Sequence, residues 1–340
     1  MVDISVILPV FNTERYIREA IQSIVDQTFR NWELILIDDA STDGTLEIAR
    51  SFEDNRVKIV QNPSNMKVVK SLNLGIRLSS GRYIARMDAD DIAHPLRLAK
   101  QFKYLEAHQD IALCGTWVQS IGGENRIIRG PLRHEQIQAS FLFHNVIVHP
   151  SVMFRKEPFM EQGMLYDDTF TNAEDYGLWV RAIEKFRFSN MGEVLLKYRV
   201  HDLNVSVLKA VNQGELDRMH YRIYTYYLNV LQIPFKEEDL VIHRKIGLRR
   251  LGRLEGRELS DNLGWLRRLT AANRKIRYFE RSAFSYVIIS NLVHIGKAIR
   301  PGLRNYARYV AAAFGMFGPG DFLMYAIRFF KLKIKRVEQF

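Results

Sequence analysis

Ile4-Ser5-Val6-Ile7-Leu8-Pro9-Val10-Phe11-Asn12 forms a nearly continuous apolar run that stops at a polar loop. A strand buried on both faces needs such a run, whereas a half-exposed strand alternates. Working outward, Tyr16, Ile17, Ala20, Ile21, Ile24 and Val25 recur at helical spacing, and the two periods then take turns along the chain. Strands are expected at 34–37, 57–60, 83–87 and 111–114, and helices at 43–50, 68–78 and around Leu96, Phe102 and Leu105. That order predicts an α/β fold. A Rossmann-like, mainly parallel sheet would be flanked by helices, with ligands collecting at the carboxyl ends of its strands.

The 340 residues, 47% hydrophobic and 26% charged, suffice for a large domain with an appendage and exclude a disordered chain. A single cysteine, Cys114, rules out an internal disulfide and a paired-cysteine zinc site; its apolar neighbours mark it as core. Charge is uneven. Residues 1–240 hold 28 basic and 32 acidic side chains, and residues 241–340 hold 21 and 6. The net +11 therefore arises in the last stretch and points to an appendage with an anionic partner. Met1-Val2-Asp3 leads straight into the apolar run without the basic segment of a secretory signal, so a cytoplasmic location is expected. Residues 282–296, the longest late uncharged stretch, fall short of the roughly 18 to 20 apolar residues of a membrane span.

Residues 127–199 read as mixed, with a strand-like piece at 146–154 and a helical one at 176–186. From residue 213 strand signals fade into amphipathic helices interrupted near Pro234, Pro301 and residues 315–320. The expected division is 1–212 for the sheet domain and 213–340 for a helical, basic region.

Polar residues follow each strand: Pro9-Val10-Phe11-Asn12, then Asp38-Asp39-Ala40-Ser41-Thr42-Asp43-Gly44, then Asp88-Ala89-Asp90-Asp91. Turn and capping roles account for Thr42 and Asp43. They do not account for Asp88 and Asp90 together, because like charges gathered at one sheet edge repel unless a cation or donors compensate them. A hard divalent ion, Mg²⁺ or Mn²⁺, suits oxygen ligands with positions left open for phosphates.

These segments, with Gln27-Thr28-Phe29, Trp32-Glu33-Leu34-Ile35-Leu36-Ile37 and Gly81-Arg82-Tyr83-Ile84-Ala85-Arg86-Met87, resemble family 2 inverting glycosyltransferases of the GT-A fold over roughly the first 200 residues. The resemblance implies a nucleotide-sugar donor, UDP-linked, bound by Pro9, Phe11, Asn12, Asp39, Lys67 and Asp88. Phe11 would offer an apolar face to the base and Asp39 would accept from the uracil N3–H. Asp88 and Asp90 match the family's DxD element and would hold the metal. Many relatives carry glycine near the position of Lys67. Glu174-Asp175, in Asn172-Ala173-Glu174-Asp175-Tyr176-Gly177-Leu178-Trp179, resembles the family's acidic pair; Asp175 would be the base and Glu174 an acceptor contact. His149-Pro150-Ser151 and Tyr198-Arg199-Val200-His201 also resemble elements of bacterial polysaccharide members, which implies an acceptor contact for His149 and a metal or diphosphate contact for His201. The Gln/Arg-x-x-Arg-Trp element of processive synthases is missing after Asp175, so a single addition is expected.

The last residues, Phe322-Leu323-Met324-Tyr325-Ala326-Ile327-Arg328-Phe329-Phe330-Lys331-Leu332-Lys333-Ile334-Lys335-Arg336, mix bulky apolar and basic side chains, as interfacial helices on an anionic leaflet do. The expectation is a peripheral enzyme on the inner face of the cell membrane, acting on a saccharide acceptor that is lipid-linked. No nucleic-acid-binding motif accompanies the charge. Two rival readings are a catalytically silent saccharide-binding scaffold and a sugar nucleotidyltransferase; the latter ordinarily opens on a glycine-rich loop that Pro9-Val10-Phe11-Asn12 replaces here.

Overall fold

The computed structural model describes residues 2–170, 172–201 and 213–317. The apolar run becomes β1 (Ile4–Val10), almost wholly buried. It pairs in parallel with β2 (Trp32–Asp38) on one side and β4 (Tyr83–Arg86) on the other, and β3 (Val57–Gln61) extends β2. The register Val10↔Asp38 brings the chain off β1 and β2 at the same level. The intervening helices are α1 (Ile17–Val25), α2 (Thr45–Arg50) and α3 (Lys67–Leu78). Gly75 lets α3 lie flush on β1, since a Cβ there would meet Ile7 Cγ2 at 2.5 Å.

The chain continues through β5 (Ile92–Ala93), α4 (Arg97–Ala107), β6 (Ile111–Ile121), β7 (Ile127–Ile128) and α5 (His134–Ser140). It then forms β8 (Met153–Arg155), α6 (Lys156–Glu161), α7 (Glu174–Ala182) and β9 (Arg187–Arg199). The sheet order is β3-β2-β1-β4-β8-β6-β9-β5, with β7 paired to β6. β8 is antiparallel to both β4 and β6, and β9 is parallel to β6, so the sheet is mixed and mostly parallel.

Two local expectations change. The apolar stretch 146–154 is not one strand: a 3₁₀ turn, His149–Ser151, precedes β8. Pro150 has no N–H to give a ladder, and the apolarity of the stretch reflects burial of Ile147, Val152 and Met153. The helix expected over 176–186 is α7, which ends at Ala182. Cys114 is buried in β6, and burial pushes its thiol up to about 12, which leaves it inert.

The described residues divide into two units: Met1–Ile137 with Asn145–Met219, and Gln138–His144 with the residues from His220 onward. The second unit contains helices α8 (Gln213–Val230, from His220), α9 (Glu237–Gly247), α10 (Gly256–Ile276), α11 (Arg281–Ala298) and α12 (Leu303–Met316). Within it, Phe141, Leu142 and Phe143 are fully buried. The Phe143 ring stacks on His243 at 4.6 Å, and the Phe143 carbonyl accepts from the Tyr224 hydroxyl at 3.0 Å. None of the described helices is long and apolar enough to cross a membrane. The basic stretch 322–336 lies outside the described residues.

His243 is completely buried; Nε2 donates to the Leu142 carbonyl at 2.7 Å and Nδ1 accepts from Trp265 Nε1 at 3.0 Å. A second ring proton would face the indole N–H, and burial holds the imidazole pKa down to about 4. The unfolded chain therefore binds the proton first, so stability is full above about pH 6.5 and falls as pH drops toward 4. The loss is on the order of 3 kcal/mol. His243→Gln is expected to flatten the decline of melting temperature over that window; a slope identical to wild type would refute the assignment.

Candidate active site

Three loops leave the carboxyl edge of the sheet side by side. Off β1, Phe11 is exposed and Asn12 adopts a left-handed φ of 51°. Its amide donates to Ser41 Oγ at 3.0 Å and its Oδ1 accepts from the Thr42 amide at 2.9 Å, which ties the first loop to the second. Met87 N donates to Ile7 O on the β4 side. Pro9, two residues on, faces the same edge beyond the last β4 pair, where no ladder donor is needed.

Off β2, the Asp39 carboxylate is buried and organises the next loop. Oδ1 accepts from Asn62 Nδ2 at 2.7 Å, the Met66 amide at 2.8 Å and Ser71 Oγ at 3.3 Å; Oδ2 accepts from the Lys67 amide at 2.8 Å. Asp39 thus sits at the N-terminus of α3 with one further acceptor direction on Oδ2. Lys67 itself is exposed with φ 72°, a conformation glycine adopts without strain. Asp43, by contrast, serves the turn: its carboxylate accepts from the Glu14 and Thr45 amides.

Off β4, Asp88, Asp90 and Asp91 each place a carboxylate oxygen within 4.8 Å of the others. Arg86, buried in β4, forms an ion pair with Asp88. Asp90 Oδ2 lies 2.9 Å from His201 Nε2. Arg199, at the end of β9, donates through its amide to Asp91 Oδ1 at 2.9 Å and through Nε to the Asp90 carbonyl at 2.8 Å. Burial, and then the Asp88 charge, raises the Asp90 pKa against the pull of His201. Asp91 is raised further, by burial first and then by Asp88 and Asp90. Its fully buried Oδ2 has no hydrogen-bond partner among the described residues. An all-carboxylate cluster with an orphaned buried oxygen fits a hard divalent cation.

The fourth component is the first turn of α7. Asp175 Oδ2 accepts from Asn145 Nδ2 at 2.8 Å, and Oδ1 accepts from the Tyr176 amide at 2.7 Å. Tyr166 is buried within electrostatic reach of this turn and of Asp88. Its phenol is raised by burial and feels Arg86 and Asp88 as well as Asp175 and Glu174. His149 is buried rather than presented at an open surface; its Nε2 lies 2.7 Å from the Tyr166 hydroxyl and its ring meets Trp179 edge-on. The acceptor contact that the resemblance implies for His149 would be made from this position beside Tyr166 and Trp179.

Asp88, Asp90 and His201 come together, and Asp175 and Glu174 share a helix start. Sequence reasoning missed Arg86, Asp91, Asn145, Tyr166 and Arg199. Arg86, charged inside an apolar strand, and Asp91, adjoining the pair, carried a local signal. Asn145 and Tyr166 carried none.

The sequence profile of Glycosyl transferase family 2 matches residues 5–163. An uncharacterized glycosyltransferase of Haemophilus influenzae is 36% identical over 247 residues, spanning 68% of this chain and 76% of that protein. WfgD of Escherichia coli, a UDP-Glc:alpha-D-GlcNAc-diphosphoundecaprenol beta-1,3-glucosyltransferase, is 27% identical over 205 residues, spanning 60% and 79%. S. aureus TarS 1–349, crystallised with UDP-GlcNAc, has a similar fold with a TM-score of 0.57 at 17% identity, covering 91% of this chain and 89% of that one.

Proposed function

Because this chain belongs to glycosyl transferase family 2, and so transfers a sugar from a nucleotide-sugar donor, we propose an inverting, single addition from a UDP-sugar to a hydroxyl of a lipid-linked saccharide in surface-polysaccharide assembly. The observation that carries this reading is the Asp88-Asp90-Asp91 carboxylate group at the carboxyl edge of the sheet, with the buried Asp91 Oδ2 left without a hydrogen-bond partner among the described residues. Asp88, Asp90 and Asp91 would hold Mn²⁺ or Mg²⁺, with His201 fixing Asp90; the ion, when bound, supplies charge neutralisation for the diphosphate. Phe11 supports the base, Pro9 and Asn12 shape its loop, and Asp39 and Lys67 line the same edge. Asp175 takes the proton from the attacking hydroxyl while Glu174 contacts the acceptor. Displacement on the opposite face of an α-linked donor gives a β-linkage. The acceptor class follows WfgD, whose name specifies a diphosphoundecaprenol-linked sugar. Thermal-shift screening of nucleotide sugars tests the donor assignment, because a ligand that binds only the folded state raises its stability. Stabilisation by UDP-sugars that vanishes with EDTA is expected; stabilisation equal with and without EDTA would overturn the metal role.

The helical unit supports the membrane part of the reading. On α12, Leu303 (92% exposed), Tyr306 and Val310 share the outward face, while Tyr309, Ala312, Ala313 and Met316 are buried. Between Glu280 and Asp321 the sequence has no acidic residue, while it carries Arg281, Lys297, Arg300, Arg304 and Arg308. An apolar stripe in a cationic setting complements the interface of an anionic leaflet on the cytoplasmic side. The full chain is expected to float with phosphatidylcholine–phosphatidylglycerol vesicles. Leu303→Ser with Val310→Ser should weaken that binding about tenfold or more, since each side chain forfeits on the order of 1 kcal/mol of burial. Undiminished flotation would remove α12 from the interface.

A further inference from the structure

We propose that Asn145 is a positioning residue that sets the orientation of the Asp175 carboxylate, within a two-point brace formed by residues 145–149 along α7. The inference rests on the reading of Asp175 as the base. Asn145 Oδ1 accepts from the Ile147 amide at 3.0 Å, which fixes which end of the side-chain amide is oxygen. Its NH₂ end therefore points at Asp175 Oδ2, 2.8 Å away. The Tyr176 amide holds the other oxygen at 2.7 Å. Donors on two different oxygens fix the plane of the carboxylate. A neutral amide also does this without competing for the proton that the carboxylate is to receive.

The second point of the brace lies four residues further along both segments. His149 meets Trp179 with ring centroids 6.0 Å apart, edge to face. Asp175 and Trp179 are four apart on α7 and so share one of its faces. Tyr166 holds His149 Nε2 at 2.7 Å and itself packs edge-on against Trp179 at 6.2 Å. Contacts at both ends oppose sliding of 145–149 along the helix, so the donor of Asn145 stays opposite the carboxylate.

The test is a double-mutant cycle on the full chain, with acceptor transfer and UDP binding as readouts. Asn145→Ala is expected to lower kcat by about 10- to 100-fold, as a misplaced reacting group does. The KM for the nucleotide sugar and the affinity for UDP should be unchanged. In an Asp175→Ala background the same substitution should bring no further loss, because a residue acting only through the carboxylate has nothing left to position. Asn145→Ser, which retains an acceptor for the Ile147 amide but withdraws the long donor, should match Asn145→Ala and guards against a folding defect. Wild-type kcat in either Asn145 variant, a matching rise in KM, or an added loss in the Asp175→Ala background would overturn the proposal. Full turnover of Asp175→Ala alone would instead overturn the assignment of the base.

Discussion

Asp175→Asn is expected to abolish sugar transfer while sparing nucleotide binding. The amide has nearly the shape of the carboxylate and retains an oxygen for Asn145 Nδ2; only the bond from the Tyr176 amide is lost, so the start of α7 should persist. What disappears is the capacity to take a proton from the acceptor hydroxyl at neutral pH, a contribution of roughly 10²- to 10⁴-fold to kcat. Titrating UDP with Mn²⁺ should give the wild-type affinity, since Asp175 is assigned to the acceptor and not to the diphosphate. Transfer within tenfold of wild type would end its role as base. A collapse of UDP binding would mean that α7 shapes the donor pocket as well.

Asp90→Asn should separate stability from activity. In the wild-type chain burial and the neighbouring Asp88 charge both disfavour the ionised form, and His201 offsets this only in part. A neutral amide relieves that cost, so the metal-free variant is expected to melt at a temperature no lower than wild type. Transfer should nevertheless fall by about 10²- to 10³-fold, the range seen when one fixed electrostatic partner of a developing charge is removed. Stabilisation by UDP and Mn²⁺ should shrink with it. Unchanged turnover in saturating Mn²⁺ would move the metal elsewhere. A lower melting temperature without metal would show that the His201 pair outweighs the repulsion. Residues that cost stability and return function are expected where charges of one sign are gathered deliberately.

Much of this edge was legible because its logic is local. β1, β2 and β4 declare themselves as short apolar runs, and the polar loops that leave them follow directly in sequence. Asp88 and Asp90 stand out as two acids one residue apart where a cap needs one. The partners of these residues are not local. Asp39 looks like a ligand contact in sequence, yet its carboxylate also gathers donors from Asn62, Met66, Lys67 and Ser71. His149 reads as an acceptor contact by resemblance, while in the fold it lies buried beside Tyr166 and Trp179. β9 escaped notice because its pairing with β6 shifts register near Trp117, which blurs the alternation that marks a strand. The division near residue 212 follows the fading of strand signals, and that says nothing about Phe141, Leu142 and Phe143, whose apolar side chains count with the later helices.

That short excursion at 138–144 constrains how such a protein can be altered by recombination. A gene fragment ending near residue 212 would keep Phe141 and Phe143 but discard Tyr224, His243 and Gly247, against which Phe143 packs. A hybrid that borrows a foreign carboxyl-terminal half must import the matching heptapeptide too. Grafting therefore takes two crossovers instead of one, and lineages that exchange the helical half should inherit both pieces together.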